Sequence, residues 1–116
     1  MQRDTKAIVR EYFDRLLNKK DLSVCDELLA PNYIDYDAVP NTPPGPKATK
    51  KWVANFLDQY PNLQVQIKKI TSQDQCVTAE LTWTGTHKDT AEPYKKTATV
   101  TVQLNNHGQI IKRQTT

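Results

Sequence analysis

Asn32-Tyr33-Ile34-Asp35-Tyr36-Asp37 and Trp83-Thr84-Gly85-Thr86-His87 bracket the part of the chain that decides the fold. The first stretch alternates, which predicts a strand over Tyr33–Asp37 with Tyr33, Asp35 and Asp37 on one face and Ile34 and Tyr36 on the other. The second closes a longer strand in which Val77, Ala79, Leu81 and Trp83 oppose Thr78, Glu80, Thr82 and Thr84. An acidic, aromatic strand, then a helix, then a long strand ending in polar groups can set a few titratable side chains at the mouth of an apolar pocket. A small-molecule site is the leading expectation.

Upstream of this block, Ile8, Val9, Tyr12, Phe13, Leu16 and Leu17 paint one stripe of a helix over Asp4–Asn18. A second helix is expected over Ser23–Leu29, with Ser23 as N-cap, Asp26 in the capping-box position and Pro31 marking its end. Four prolines between Val39 and Pro46 predict a loop. Ala48, Trp52, Val53, Phe56 and Leu57 then predict a third helix over Lys47–Gln59.

From Leu63 the period changes to two. Leu63, Val65 and Ile67 alternate with Gln64, Gln66 and Lys68, and Ser72–Gln75 reads as the turn into the strand of Val77. After the polar stretch Lys88–Pro93, Ala98, Val100, Val102 and Leu104 alternate with Thr97, Thr99, Thr101 and Gln103. Asn105–Gly108 is a hairpin turn, and Gln109–Arg113 the last strand. The implied class is α+β, with three N-terminal helices packed on a strongly curved antiparallel or mixed sheet that forms a cone-shaped barrel.

At 116 residues the chain is expected to be a single domain over 1–116. Its charge of +3 comes from 16 basic and 13 acidic residues spread along the chain, so it offers no basic arm for nucleic acid. No apolar run approaches the ~20 residues that span a bilayer, and Met1–Lys6 does not lead into a signal-peptide segment. A cytoplasmic location without membrane association is therefore expected. Cys25 and Cys76 have no metal-ligand spacing and read as free thiols, so no metal and no cofactor are expected.

The chain resembles the SnoaL-like polyketide cyclases within the nuclear-transport-factor-2-like superfamily. The resemblance rests on Tyr12-Phe13, Leu28-Leu29-Ala30-Pro31-Asn32-Tyr33-Ile34-Asp35, Gly45, Tyr60-Pro61-Asn62-Leu63, Trp83-Thr84-Gly85-Thr86-His87 and Gly108-Gln109-Ile110-Ile111. It implies cofactor-free, proton-transfer chemistry on a small hydrophobic carbonyl compound held in the cone. Members often carry Asp-His-Asp after the second helix, where this chain has Tyr36 in the middle. The cyclases also place an acid on or beyond the last strand, usually after a tryptophan. Here Lys112-Arg113-Gln114-Thr115-Thr116 holds no carboxylate, and the tryptophan position is Gln114.

His87, Tyr36 and Asp35 are the candidate catalytic residues. His87 ends its strand where the resemblance puts the open end of the cone, and an imidazole there can pass a proton; a strand-end histidine without a role is the alternative. Tyr36 is either an oxyanion donor or a core aromatic, and Asp35 either a general base or a solvated carboxylate. Tyr33, Trp52, Phe56 and Trp83 are the candidate ligand-binding wall, and equally candidates for core.

Three functions compete. A pocket enzyme or binder predicts an apolar cavity with Tyr36 or His87 facing in. A non-catalytic module would form a homodimer through an open sheet face built from Thr78, Glu80, Thr82, Thr97, Thr99, Thr101 and Gln103. Epoxide opening wants an arginine between two aspartates, and no arginine lies between Arg15 and Arg113 in the sequence.

Overall fold

Leu29 departs from the helical expectation, and the difference sets the architecture. In the computed structural model, which describes residues 4–115, the second helix α2 stops at Leu28 (Val24–Leu28) and β1 runs over Leu29–Asp35. Met1–Arg3, the start of the Met1–Lys6 segment, and Thr116 lie outside the described residues. Leu29 already pairs in parallel with Ile110, and β1 is an edge strand, where Pro31 loses no ladder bond by lacking an N–H.

Helix α1 spans Thr5–Phe13, with the Asp4 carboxylate accepting from the Lys6 amide. Its stripe continues through a π-helical segment, Asp14–Asn18, so that Ile8, Val9, Tyr12, Phe13, Leu16 and Leu17 are all buried. The wider turn delivers Asn18 to the start of β2 (Gln64–Gln73), where its amide takes the Val65 N–H at 2.7 Å and donates to the Val65 carbonyl at 3.1 Å. A side chain thus stands in for a strand at the exposed edge of the sheet. Lys20 adds its ammonium to the Leu17 and Leu63 carbonyls.

Ser23 precedes α2 but does not cap it through its side chain. Its hydroxyl goes to Asp21 instead, and Asp26 pairs with Lys50 of α3 (Pro46–Gln59) rather than closing a capping box. Arg15 gathers Glu11, Asp21 and Glu27, tying α1 to α2.

Gly45 opens α3 at φ +105, a region open to glycine, and a Cβ there would sit 3.1 Å from the Pro31 carbonyl oxygen. Its amide donates to the Tyr33 carbonyl at 2.7 Å, which pins the start of α3 to β1.

Strands β3 (Cys76–Thr86), β4 (Pro93–Leu104) and β5 (Ile110–Thr115) complete a mixed sheet of order β1-β5-β4-β3-β2, parallel only between β1 and β5. The sheet is strongly curved but not closed on itself; β1 and β2 are its two edges and the helices fill its concave side. A bulge between Ile67 and Lys69 lets β2 run on to Gln73, past the turn expected at Ser72, with Ile70 packed on the core. Strand β4 begins four residues earlier than its alternation suggests, because Pro93–Lys96 pairs with the end of β3.

Val77, Ala79 and Leu81 meet Val100, Val102 and Leu104 under α1, all nearly inaccessible. Each such side chain contributes roughly 1.5–3 kcal/mol of burial. Among the described residues no helix is long and apolar enough to cross a membrane.

Candidate functional site

The wide end of the cone is built by the ends of β1 and β5 on one side and by β3, β4 and α3 on the other. Because β1 alternates, Tyr33 and Asp35 face inward while Ile34 and Tyr36 face out. Parallel pairing sets Asp35 opposite Arg113. The Arg113 Nη1 lies 3.5 Å from Asp35 Oδ2 and 3.6 Å from Asp37 Oδ2, so one guanidinium stands between two carboxylates. The Asp37 amide donates to Asp35 Oδ1 at 2.8 Å, and Thr115 gives Asp37 its amide (2.9 Å) and its hydroxyl (2.6 Å).

The absence of an arginine between the two aspartates in sequence is therefore corrected by the fold, which brings Arg113 there. Geometry gives a different reason to set epoxide opening aside. Both oxygens of Asp37 are taken by Thr115, which makes this carboxylate a fastener for the end of β5.

Tyr33 lies deeper on the same face. It is 1% exposed, and its hydroxyl is fully enclosed with no hydrogen-bond partner among the described residues. The Thr49 side chain of α3 comes near enough to act as a long, weak hydrogen-bond neighbour, which opposes the upward push of burial on the phenol, without reaching ordinary hydrogen-bond geometry. Burial pushes the Tyr33 phenol well above its usual range; the Asp35 charge adds to this and Arg113 opposes it. Tyr12 is raised likewise, by burial first and then by Tyr33. The neighbouring Cys25 thiol is pushed up to about 11, chiefly by burial. A buried hydroxyl left without a partner costs about 1–3 kcal/mol, and such a group calls for an explanation.

Along α3, Trp52, Phe56 and Tyr60 follow each other at four-residue steps on one side of the helix. Trp52 stacks on Phe56 (centroids 5.3 Å, planes 10° apart), and Phe56 touches Tyr60 and, edge-on, Tyr94 of β4. Tyr60 meets Tyr94 at 5.0 Å and the His87 ring at 5.3 Å. Rings thus occupy the space between α3 and β4, and Trp52 at the outer end is 63% exposed. Trp83 lies below, 8% exposed, with the Lys96 ammonium 5.8 Å above its ring.

Of the candidate residues, the structure brings Tyr33 and Asp35 together on one wall, and Trp52 and Phe56 together on the facing helix. Tyr36 is on the outer face, 53% exposed, with the Lys112 ammonium 5.5 Å over its ring. His87 sits at the rim. Its Nδ1 accepts the amides of Asp89 (3.2 Å) and Thr90 (3.3 Å), so it organises the β3–β4 connection and leaves Nε2 as the donor. Arg113 and Lys96 escaped sequence reasoning; the only available signal was their place on the inward phase of β5 and β4.

Two clefts lie away from this end. One of about 780 Å³ is lined by Glu11, Arg15, Asn18 and Val65, and one of about 600 Å³ at the narrow end by Ile8, Leu28 and His107. The first is a groove beside the Arg15 ion pairs and the second adjoins the Asn105–Gly108 turn, so neither contains the partnerless hydroxyl.

Residues 9–113 match the SnoaL-like domain, which covers nearly all of the described chain. The chain belongs to the SnoaL-like family. Solved structures agree on the architecture of this SnoaL-like protein. TsrD from Streptomyces laurentii superposes with a TM-score of 0.86 at 13% identity, covering 100% of this chain and 90% of that one. IdmH from Streptomyces antibioticus, a candidate polyketide cyclase, gives 0.84 at 17% identity, covering 98% and 91%. A protein of ketosteroid isomerase-like fold from Catenulispora acidiphila, in complex with trimethylamine, gives 0.79 at 21%, covering 97% and 86%. At such identities the likeness establishes the fold and leaves activity to the site. No curated protein matches the sequence at a significant level.

Proposed function

We propose that this SnoaL-like protein binds a small hydrophobic carbonyl compound at the wide end of the cone and moves a proton on it without a cofactor, in the manner of a cyclase or isomerase. The observation that carries this reading is the enclosed Tyr33 hydroxyl, a donor without a partner, on the same wall as Asp35. A ligand carbonyl accepting from Tyr33 supplies the missing hydrogen bond. Asp35 is the base: Oδ1 accepts the Asp37 amide, and Oδ2, held only by the long 3.5 Å contact to Arg113, takes a proton from the carbon next to the carbonyl, the C–H electron pair moves into an enolate, and the Tyr33 O–H stabilises the enolate oxygen until the proton returns.

Entry requires α3 to give way. Val53 is its one buried side chain, whereas Phe56 and Leu57 pack on the core only partly buried, so the rings can part from Tyr94 while Val53 stays anchored. His87 shapes the rim, and Tyr36 stays outside the pocket.

The test uses prodan, a naphthyl ketone whose emission shifts to the blue in an apolar site. Saturable binding is expected, weakened about fivefold in Tyr33→Phe, the equivalent of one neutral hydrogen bond of ~1 kcal/mol. Deuterium exchange at the methyl group of 2-acetylnaphthalene, followed by NMR, is expected to be accelerated by the protein and not by Asp35→Asn. No saturable binding, or equal affinity of wild type and Tyr33→Phe, overturns the reading.

A second reading, a non-catalytic homodimerising module, is favoured by the outer sheet face. Helices lie on the opposite side, Thr82 is only 7% exposed with its hydroxyl 3.2 Å from that of Thr97, and Glu80 is the lone carboxylate of the Thr78–Thr84 and Thr97–Gln103 surface. Sedimentation showing a single copy at high concentration rules it out.

A further inference from the structure

Helix α3 is held unequally along its length. From Val53 onward it is anchored: Val53 is buried, Phe56 and Leu57 pack on the core, the Gln59 carbonyl takes the Lys88 amide at 2.9 Å, and Asp58 pairs with the Lys88 ammonium at 2.8 Å. From Pro46 to Trp52 no side chain is buried, although this half carries Thr49, the α3 neighbour of the Tyr33 hydroxyl. Among the described residues, its one ion pair or ordinary hydrogen bond to another element joins Lys50 to Asp26 of α2, at 2.7 Å. Just ahead of it the Gly45 amide holds the Tyr33 carbonyl. Further upstream, the Thr42 amide and hydroxyl both meet the Val39 carbonyl, so that among the described residues the 39–44 loop hydrogen-bonds only within itself.

We infer that residues 46–52 of α3 form a lid over the Tyr33 hydroxyl, and that the Asp26–Lys50 ion pair is the latch that sets how fast a ligand is admitted. The inference rests on the proposed carbonyl site and adds the control of access to it. Val53 separates two movements: rotation of the Phe56 ring away from Tyr94 makes room for the body of the ligand, and release of Lys50 uncovers the hydroxyl. Lifting this half breaks one ion pair and one backbone bond and pulls no buried side chain from the core, so it opens far more readily than the fold as a whole. The latch side chains are 40% and 55% exposed, so the pair biases the lid toward closure by only about threefold and is screened by salt. It re-forms over a bound ligand and therefore governs rates rather than affinity.

Stopped-flow mixing with prodan, an uncharged ketone that the protein's field does not steer, reads the association rate. Lys50→Met, which keeps an apolar stem and loses the charge, is expected to bind prodan about threefold faster than the wild type, with affinity nearly unchanged. Raising KCl from about 0.05 M to about 1 M is expected to speed the wild type by a similar factor and to leave Lys50→Met unaltered. Asp26→Lys combined with Lys50→Asp restores the slow, salt-sensitive rate. Lys88→Met, which breaks the ion pair at the anchored end, keeps that rate as well. Equal rates for wild type and Lys50→Met, or the same acceleration in Lys88→Met, overturn the latch and leave the carbonyl site standing. If prodan does not bind, the carbonyl reading falls and hydrogen exchange decides the lid. Faster exchange of the 50–52 amides in Lys50→Met, with those of α1 unchanged, upholds it, and unaltered exchange overturns it.

Discussion

Asp35 and Arg113, 78 residues apart, face each other across the one parallel strand pair of the sheet, with Arg113 Nη1 3.5 Å from Asp35 Oδ2. The pair is partly buried, 17% and 22% exposed at the side chains, and joins the last strand to the edge strand.

Arg113→Gln leaves Asp35 and Asp37 side by side without their cation. A loss of about 1–2 kcal/mol is expected, read as a lower urea midpoint at unchanged m-value. Adding Asp35→Asn is expected to recover part of the loss, because it removes the carboxylate left unpaired; strict additivity of the two changes rules the coupling out.

Asn18→Ala removes both bonds to the Val65 backbone and uncovers the edge of β2. Two neutral hydrogen bonds suggest a cost of about 2 kcal/mol. Light scattering near the melting temperature is expected to show earlier aggregation than in a core variant of matched stability, since an open strand edge pairs with other chains.

Cys25 is buried and Cys76 exposed, so native protein treated with iodoacetamide at pH 8 is expected to be modified at Cys76 alone, as read by mass spectrometry. The raised Cys25 value also gives a pH window. The unfolded thiol ionises near 9 and the folded one near 11, so the unfolded state releases its proton first and stability falls as pH rises from about 9 to 11. Cys25→Ala is expected to flatten that part of the profile, and an unaltered slope counts against the assignment.

His87→Ala leaves the Asp89 and Thr90 amides without their acceptor. Limited proteolysis is expected to cut the 88–92 connection several-fold faster while the far-UV spectrum stays native. His87→Asn, whose Oδ1 takes the place of Nδ1, is expected to restore resistance. If alanine and wild type are cut alike, His87 does not organise this loop.

Most of the elements were legible because their signals are local. The stripe from Ile8 to Leu17, the alternation of Val77–Trp83 and Ala98–Leu104, and the prolines from Pro40 to Pro46 each follow from backbone period or backbone restriction. The misplaced boundaries have non-local causes. Leu29–Pro31 becomes strand because Ile110 is there to pair with it, and β2 outruns its expected turn because a bulge restores the inward phase at Ile70.

By itself the sequence determined an α+β cone of SnoaL-like type and the alternation that sets Tyr33 and Asp35 on the face opposite Tyr36. Only the tertiary structure decided which of those faces looks inward, that Arg113 stands between Asp35 and Asp37, that the Tyr33 hydroxyl is enclosed without a partner, and that the Lys96 ammonium lies over the Trp83 ring. The physical reason is the same in each case. A period of two states which residues share a face, while the side of the sheet that the helices cover, and the strand that lies alongside, are fixed by packing between segments far apart in the chain.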